Sequence, residues 1–224
     1  MLGLILGPVG TQSHTVATAV PIERLFPTQV YRASLAGRDA NALQQRLLRE
    51  CRQLRADDAA GRRWSRLNYP GGYTSYGSAH RMHTLSPSFA LLQRRLAPHV
   101  ARLARALALD LRGRALEMTD CWVNIMPPRV VHGLHLHPLA TLSGTYYVRT
   151  PAGVPGLKFE DPRLERMMAA PPRRGDARRA LQPWVLVPAR SGQVVLFESW
   201  LRHEVPAHHA RSERISISFN YSWF

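Results

Sequence analysis

A chain of 224 residues has room for one domain with a substantial core and too little for two independent ones. With 45% hydrophobic and 20% charged residues it is not a disordered chain. The formal charge of +15 is almost wholly arginine, Lys158 being the single lysine, and no zinc-finger spacing, helix-turn-helix pattern or aromatic-basic RNA motif accompanies it; it reads as a solvated arginine surface, with an anionic partner or nucleic acid as the other reading.

Residues 1–20 carry a short apolar run with no basic segment before it, well short of the roughly 20 apolar residues that span a bilayer. They read as a poorly ordered leader, and residues 21–224 as a single domain with no membrane partner. PIERLFPTQVYRASL holds a short strand. Asp39 stands as the cap of NALQQRLLRECRQLRAD, an amphipathic helix on which Leu43, Leu47, Leu48, Cys51 and Leu54 recur at helical spacing. WSRLNYPGGYTSYGSAH is an ordered loop with left-handed positions at Gly71 and Gly72. Ser86 or Ser88 opens a second helix, SPSFALLQRRLAPHVARLARALALDL, striped by Leu92, Leu96, His99, Val100, Leu103 and Leu107 and kinked at Pro98. His99 on that stripe is a packed, hydrogen-bonded residue rather than a ligand. Cys51 and Cys121 have no paired spacing, which points to a reducing compartment, the cytoplasm.

From Glu117 onward the texture changes to short alternating runs separated by Gly and Pro. MTDCWVNIM, VVHGLHLH, LSGTYYVRT, GLKFE, WVLVPA, GQVVLFES and ERISISFNYSWF predict seven or eight strands. DPRLERMMAAPPRRGDARRALQP interrupts them as a Pro- and Arg-rich excursion near or over the barrel mouth. The chain is therefore mainly β (α+β): helical support over 38–112, then a jelly-roll, cupin-like core over 117–224.

Side chains alternate along a strand, so in VVHGLHLHP His135 and His137 share one face and Leu134 and Leu136 the other. FESWLRHEVP supplies His203 directly after a buried strand, where a barrel brings late and early strands together. Three imidazoles meeting at a point suit iron, copper, nickel or zinc, although two alternating histidines alone can also just line a polar face. In the closing strand Arg214, Ser216, Ser218 and Asn220 form a polar face opposite Ile215, Ile217, Phe219 and Tyr221. If the apolar face packs on the N-terminal helices, the polar one looks into the barrel, where a guanidinium beside a hydroxyl suits the forked grip of a carboxylate. Otherwise Arg214 is a solvated surface residue.

Seven stretches in order, NYPGGYTSYGS, CWVNIMPP, HLHPLATLSGTYYV, LKFEDPRL, MAAPPRR, LFESWLRHEVP and RISISFNY, cover most of the chain from about Phe26 onward. Together they resemble the 2-oxoglutarate- and iron(II)-dependent oxygenases, in particular a bacterial group related to the prolyl-hydroxylase-like branch. The resemblance implies a double-stranded β-helix that uses Fe(II), 2-oxoglutarate and O2. By position, the family's H-x-D/E pair falls on His135 and His137, its distal histidine on His203, and its Arg-x-Ser grip on 2-oxoglutarate on Arg214 and Ser216. Tyr147, on the face of LSGTYYV shared by Ser143 and Thr145, corresponds to a tyrosine that touches the cosubstrate in relatives. Asn124 and Trp122 share a face of the preceding strand and either line the pocket or form ordinary core around a bonded amide. The implied reaction is hydroxylation of an unactivated C–H of an amino acid, peptide or other small molecule, with release of succinate and CO2. The loop 68–78 and the insertion 161–180 are expected to face the substrate.

His137 departs from the family pattern, which has a carboxylate there, and leaves the site one charge more positive. Asp161, Glu160 or Glu198 could supply a carboxylate instead. His132, three positions from His135, has the wrong parity for a regular strand unless Gly133 makes a bulge. The competing class on the same barrel is a cupin-like metal- or sugar-binding module without turnover, which has no need of a buried guanidinium facing the metal.

Overall fold

The alternation in the closing strand is resolved by what covers each of its faces. The structure is a computed structural model that describes residues 22–223 other than 36 and 38; the leader read at 1–20 lies outside the described residues. In chain order the elements are β1 (Val30–Ser34), α1 (Ala40–Asp57), α2 (Ala59–Asn68), β2 (Tyr73–Thr74), α3 (Met82–Leu85), α4 (Pro87–Ala106), β3 (Glu117–Met126), β4 (His132–His135), β5 (Leu142–Arg149), β6 (Leu157–Glu160), β7 (Trp184–Val187), β8 (Gln193–Glu198), β9 (His203–Val205) and β10 (Arg214–Ser222). Strands β3 to β10 make the jelly roll, in two antiparallel sheets ordered β8-β5-β10-β3 and β4-β9-β6-β7. The first sheet is extended at its edges by β1, paired with β8, and by β2, paired with β3.

Two apolar layers lie on opposite faces of the larger sheet. On one, Val123, Ile125, Leu196, Ile215, Ile217 and Phe219 pack against Leu43, Leu47 and Cys51 of α1 and Phe89, Leu92, Leu96 and Val100 of α4. This is the buttress that the helical periodicity predicts. On the other, Met126, Tyr147, Val195 and Phe197 meet Leu157, Phe159, Val187 and Val205 of the smaller sheet. Because the helices take the isoleucine face of β10, its arginine-serine-asparagine face is turned between the sheets.

Local chemistry accounts for several departures from the sequence reading. α4 starts where expected, Ser86 accepting from the Ser88 N–H at 3.1 Å with Pro87 in the first turn, and it runs through Pro98 to Ala106. Asp39 does not cap α1 with its side chain; its carboxylate pairs with Arg95 of α4 and ties the two helices together. The start of the predicted loop is helical instead. Asp58 caps α2 by accepting from the Gly61 N–H at 2.7 Å, and also accepts from Tyr73 Oη at 2.9 Å and Ser78 Oγ at 2.5 Å, which pins the following loop to the helix start. Gly71 has the left-handed φ expected of it, +80°, but Gly72 does not; a Cβ there would stand 2.3 Å from the Tyr69 ring, so that glycine makes room for an aromatic. The 161–183 excursion holds two single turns and closes on itself, the Asp161 N–H donating to the Pro183 carbonyl at 2.8 Å. His99 accepts or donates at 2.8 Å to Tyr31 Oη, as expected for a packed helix histidine.

Ile217 is wholly buried against the helices. Ile217→Ala should lower the unfolding free energy by about 2–5 kcal/mol in urea titrations; a loss near zero would mean that β10 does not rest on the helical layer.

Candidate metal and cosubstrate centre

Register places the polar side chains between the sheets in a grid. β10 runs between β3 and β5, and its Ser216, Ser218 and Asn220 stand opposite Asn124, Trp122 and Asp120 on one side and Tyr147, Thr145 and Ser143 on the other. Alternation keeps all nine on the inner face. The first row ends at Arg214, which is buried at 3% exposure; its guanidinium carbon lies 5.0 Å over the Tyr147 ring and its Nη1 donates to Ser216 Oγ at 3.4 Å. Asn124 Nδ2 donates to Ser218 Oγ at 3.0 Å.

Three histidines face this floor from the smaller sheet. His135 closes β4 and is in register with His203 of β9, which is paired on its other side with Phe159 of β6. His137 lies just beyond β4, its backbone N–H held by the Ser199 carbonyl at 3.0 Å. One ring nitrogen from each of the three lies within 4.8 Å of the others, the only such cluster among the described residues. In every case Nδ1 already meets an oxygen: Gly133 O for His135 at 2.7 Å, Leu201 O for His203 at 2.9 Å, and Asn220 Oδ1 for His137 at 2.8 Å. Carbonyl and amide oxygens only accept, so Nδ1 carries the proton in each ring and the lone pair is on Nε2. Three neutral nitrogen donors in this arrangement can hold a divalent transition metal.

The pocket between floor and histidines is lined by Trp122, Asn124, His132, Phe197, Arg214 and Ser216 among others, and no carboxylate of the described residues lines it. Arg214 Nε, Asn124 Oδ1 and Tyr147 Oη are buried and make no hydrogen bond among the described residues, and no carboxylate there pairs with Arg214. Tyr147 sits behind Arg214 without lining the pocket. This donor set fits a metal beside an anionic, oxygen-rich ligand.

Residues 120–220 match the sequence profile of the family described as "Putative 2OG-Fe(II) oxygenase". Over this span, a little under half of its length, the chain is similar to the 2OG-Fe(II) oxygenases. No curated protein matches it. Among solved structures it is similar to a prolyl-4-hydroxylase from Pseudomonas putida, at 15% identity over 88% of this chain and 94% of that one, with a TM-score of 0.57. It is similar also to HygX from Streptomyces hygroscopicus, solved with nickel, 2-oxoglutarate and hygromycin B bound, at 16% identity over 88% and 83% of the chains, TM-score 0.56. It spans 58% of the length of a 2OG-Fe(II) oxygenase family oxidoreductase from Burkholderia pseudomallei, at 18% identity over 62% of this chain and a TM-score of 0.44. The first two likenesses show the fold, the double-stranded β-helix of these enzymes, whose family uses iron(II), 2-oxoglutarate and O2.

Against the family's H-x-D/E pattern, the position after His135 by two is a histidine in the structure as in the sequence, and none of the alternative carboxylates replaces it. Glu160 is bridged to Arg202 at 2.9 Å, Asp161 to Arg163 at 2.8 Å, and Glu198 is outside the cluster. The bulge at Gly133 does form: His132 and His135 are three residues apart on β4 but oppose Val205 and His203, two apart on β9. The extra residue turns His132 inward, so that it stacks on His135 at 4.5 Å and lines the pocket without joining the cluster. The insertion contributes no lining residue, whereas the 68–78 loop does reach the pocket wall, Tyr76 packing on Trp122 at 5.1 Å and Tyr69 on His132 at 5.1 Å. Asn220, Ser143 and Asp120 as supports of His137 escaped the sequence reading; the polar face of β10 was the available signal.

Burial holds all four pocket imidazoles neutral: His203 is pushed down to about 2, His132 to about 3 and His137 to about 4, with His135 also lowered, and their mutual repulsion as cations adds to the effect on the first three. The unfolded chain protonates these rings near pH 6.5, while the folded chain does not. It follows that stability is complete above about pH 6.5 and is lost as the pH falls below it, because the unfolded state then binds more protons. The melting temperature of metal-free protein should drop steadily from pH 7 to pH 5; a flat profile would contradict the buried neutral state.

Proposed function

We propose that the chain is an iron(II)- and 2-oxoglutarate-dependent dioxygenase that hydroxylates an unactivated C–H of an amino acid, peptide or other small molecule, with succinate and CO2 as coproducts. In this reading residues 21–224 form one oxygenase domain, His135, His137 and His203 hold iron through Nε2, and Arg214 with Ser216 grips the far carboxylate of 2-oxoglutarate. Asn124 offers its free Oδ1 to the pocket, and Tyr147 supports Arg214 from behind.

The observation that carries the reading is Arg214. A buried cation without a counter-ion is costly, by several kcal/mol even after relaxation. A dicarboxylate anchored there by one end and directed at the imidazoles by the other satisfies it. A metal- or sugar-binding module has no such requirement, which is why the guanidinium favours the oxygenase over the cupin-like alternative. Iron with 2-oxoglutarate supplies the activation of O2 and the oxidising power. The protein supplies three neutral donors of fixed tautomer, a cation for the cosubstrate, and walls of Trp122, Leu157 and Phe197 that exclude water around the reacting carbon. The lack of a carboxylate acid-base pair in the pocket agrees with a reaction that needs none.

Tyr69 and Tyr76, packed on the pocket residues His132 and Trp122, and a lining to which the arginine-rich insertion contributes no residue support an organic small molecule or peptide side chain as substrate over nucleic acid. No helix among the described residues is long and apolar enough to cross a membrane, and both cysteines are free and buried, in keeping with a cytoplasmic setting.

Anaerobic calorimetry tests the assignment. Arg214→Ala should bind Fe(II) like the parent protein and lose 2-oxoglutarate affinity by about 30-fold or more, the scale of truncating one partner of a buried charge pair. Unchanged 2-oxoglutarate affinity in that variant, or no succinate from the aerobic iron-loaded parent with or without amino acids and peptides, would overturn the proposal.

A further inference from the structure

His137 stands where the family's metal ligand is a carboxylate, so the question is what replaces the missing negative charge. The last row of the grid supplies a candidate. Asn220 Oδ1 meets His137 Nδ1 at 2.8 Å, and Asn220 Nδ2 donates to Asp120 Oδ2 at 3.2 Å. The Asp120 contact orients the amide, because a carboxylate accepts only from the NH2 end, and the oxygen end is thereby turned to the imidazole. Ser143 Oγ donates to the same Asn220 Oδ1 at 2.8 Å and is itself paired with Ser199 Oγ at 2.7 Å, while Thr119 Oγ1 donates to Asp120 Oδ2 at 2.9 Å. Asn220 is buried, and the contacts follow from register, since Asp120, Asn220 and Ser143 are direct cross-strand neighbours.

His135 and His203 have no counterpart to this chain: their Nδ1 protons end on the carbonyls of Gly133 and Leu201, within their own segments. Among the described residues, only the histidine at the carboxylate position is connected, through one amide, to an acidic side chain. The geometry points to Asp120 as a positioning residue that returns to the metal site the negative charge that His137 lacks. Its carboxylate polarises the Asn220 amide, which draws the Nδ1 proton and makes Nε2 a stronger donor. Such outer partners are worth about 10- to 100-fold in metal affinity. The inference rests on the three-histidine metal site proposed above.

The test uses cobalt(II) alone, titrated anaerobically into metal-free full-length protein and read by its visible absorption, with iron(II) competition for the affinity. Asp120→Asn should weaken binding by about 10- to 100-fold while the metal-free melting temperature stays close to that of the parent. Asp120→Ser serves the same reading if the asparagine variant does not fold. The decisive arm places either change in a His137→Asp background, where the charge sits directly on the metal: there, loss of Asp120 should leave cobalt affinity unchanged or raised. An equal loss in both backgrounds would reduce Asp120 to a structural role and overturn the inference, as would parent-like affinity in Asp120→Asn. Failure of the parent protein to bind cobalt or iron would instead remove the metal site, and the inference with it.

Discussion

The site depends on the burial of one strand on both faces. β10 is central in the larger sheet, and its isoleucine-phenylalanine face is claimed by α1 and α4. With that face committed, a one-residue slip would put four apolar side chains into the pocket and a guanidinium into the helical core, so the register is held by the whole apolar area of the buttress. Arg214 is thus kept inside by apolar contacts made on the far side of its own strand. The unfavourable burial of a cation is sustained by packing, and that is what leaves the cation available to a ligand.

The two sheets divide the chemistry. The larger one, with long strands and regular register, carries the polar grid and the arginine. The smaller one, with strands of three or four residues, carries the imidazoles. Precision on the imidazole side comes less from strand length than from hydrogen bonds at each Nδ1 and from ring packing, with Phe197 at 4.6 Å and Phe159 at 5.7 Å from His203. The tautomers are consequently set by backbone carbonyls and one asparagine, before any metal arrives.

Much of this was legible in the sequence because alternation is a strong signal in long, two-sided strands. The faces of β10 and β3, the helical stripe of α4 and its serine cap all followed from period and composition. Shorter elements were less readable. VVHGLHLH looked like one strand, but the bulge at Gly133 reverses the parity of His132 and the pairing stops at His135, so a residue that regular alternation turns away, and that only the bulge admits, lines the pocket. The start of the Tyr- and Gly-rich segment looked like loop, although Asp58 caps a helix there and is held in place by Tyr73 and Ser78, 15 and 20 residues away. Asp39 looked like a cap and is engaged by Arg95, 56 residues on. In each case a contact distant in sequence overruled a local rule. The support of His137 was hidden for the same reason: Asp120, Ser143 and Asn220 become neighbours only through cross-strand register.

The shortness of β4 and β9 gives the histidines a second significance. The two strands meet around a bulge, and their paired positions include His135 and His203, so a metal there would bridge the seam of the smaller sheet as well as serve the reaction. An ion that binds only the closed seam stabilises it by mass action. On the proposed iron-binding reading, loss of the metal would loosen this seam of the fold as well as empty the site.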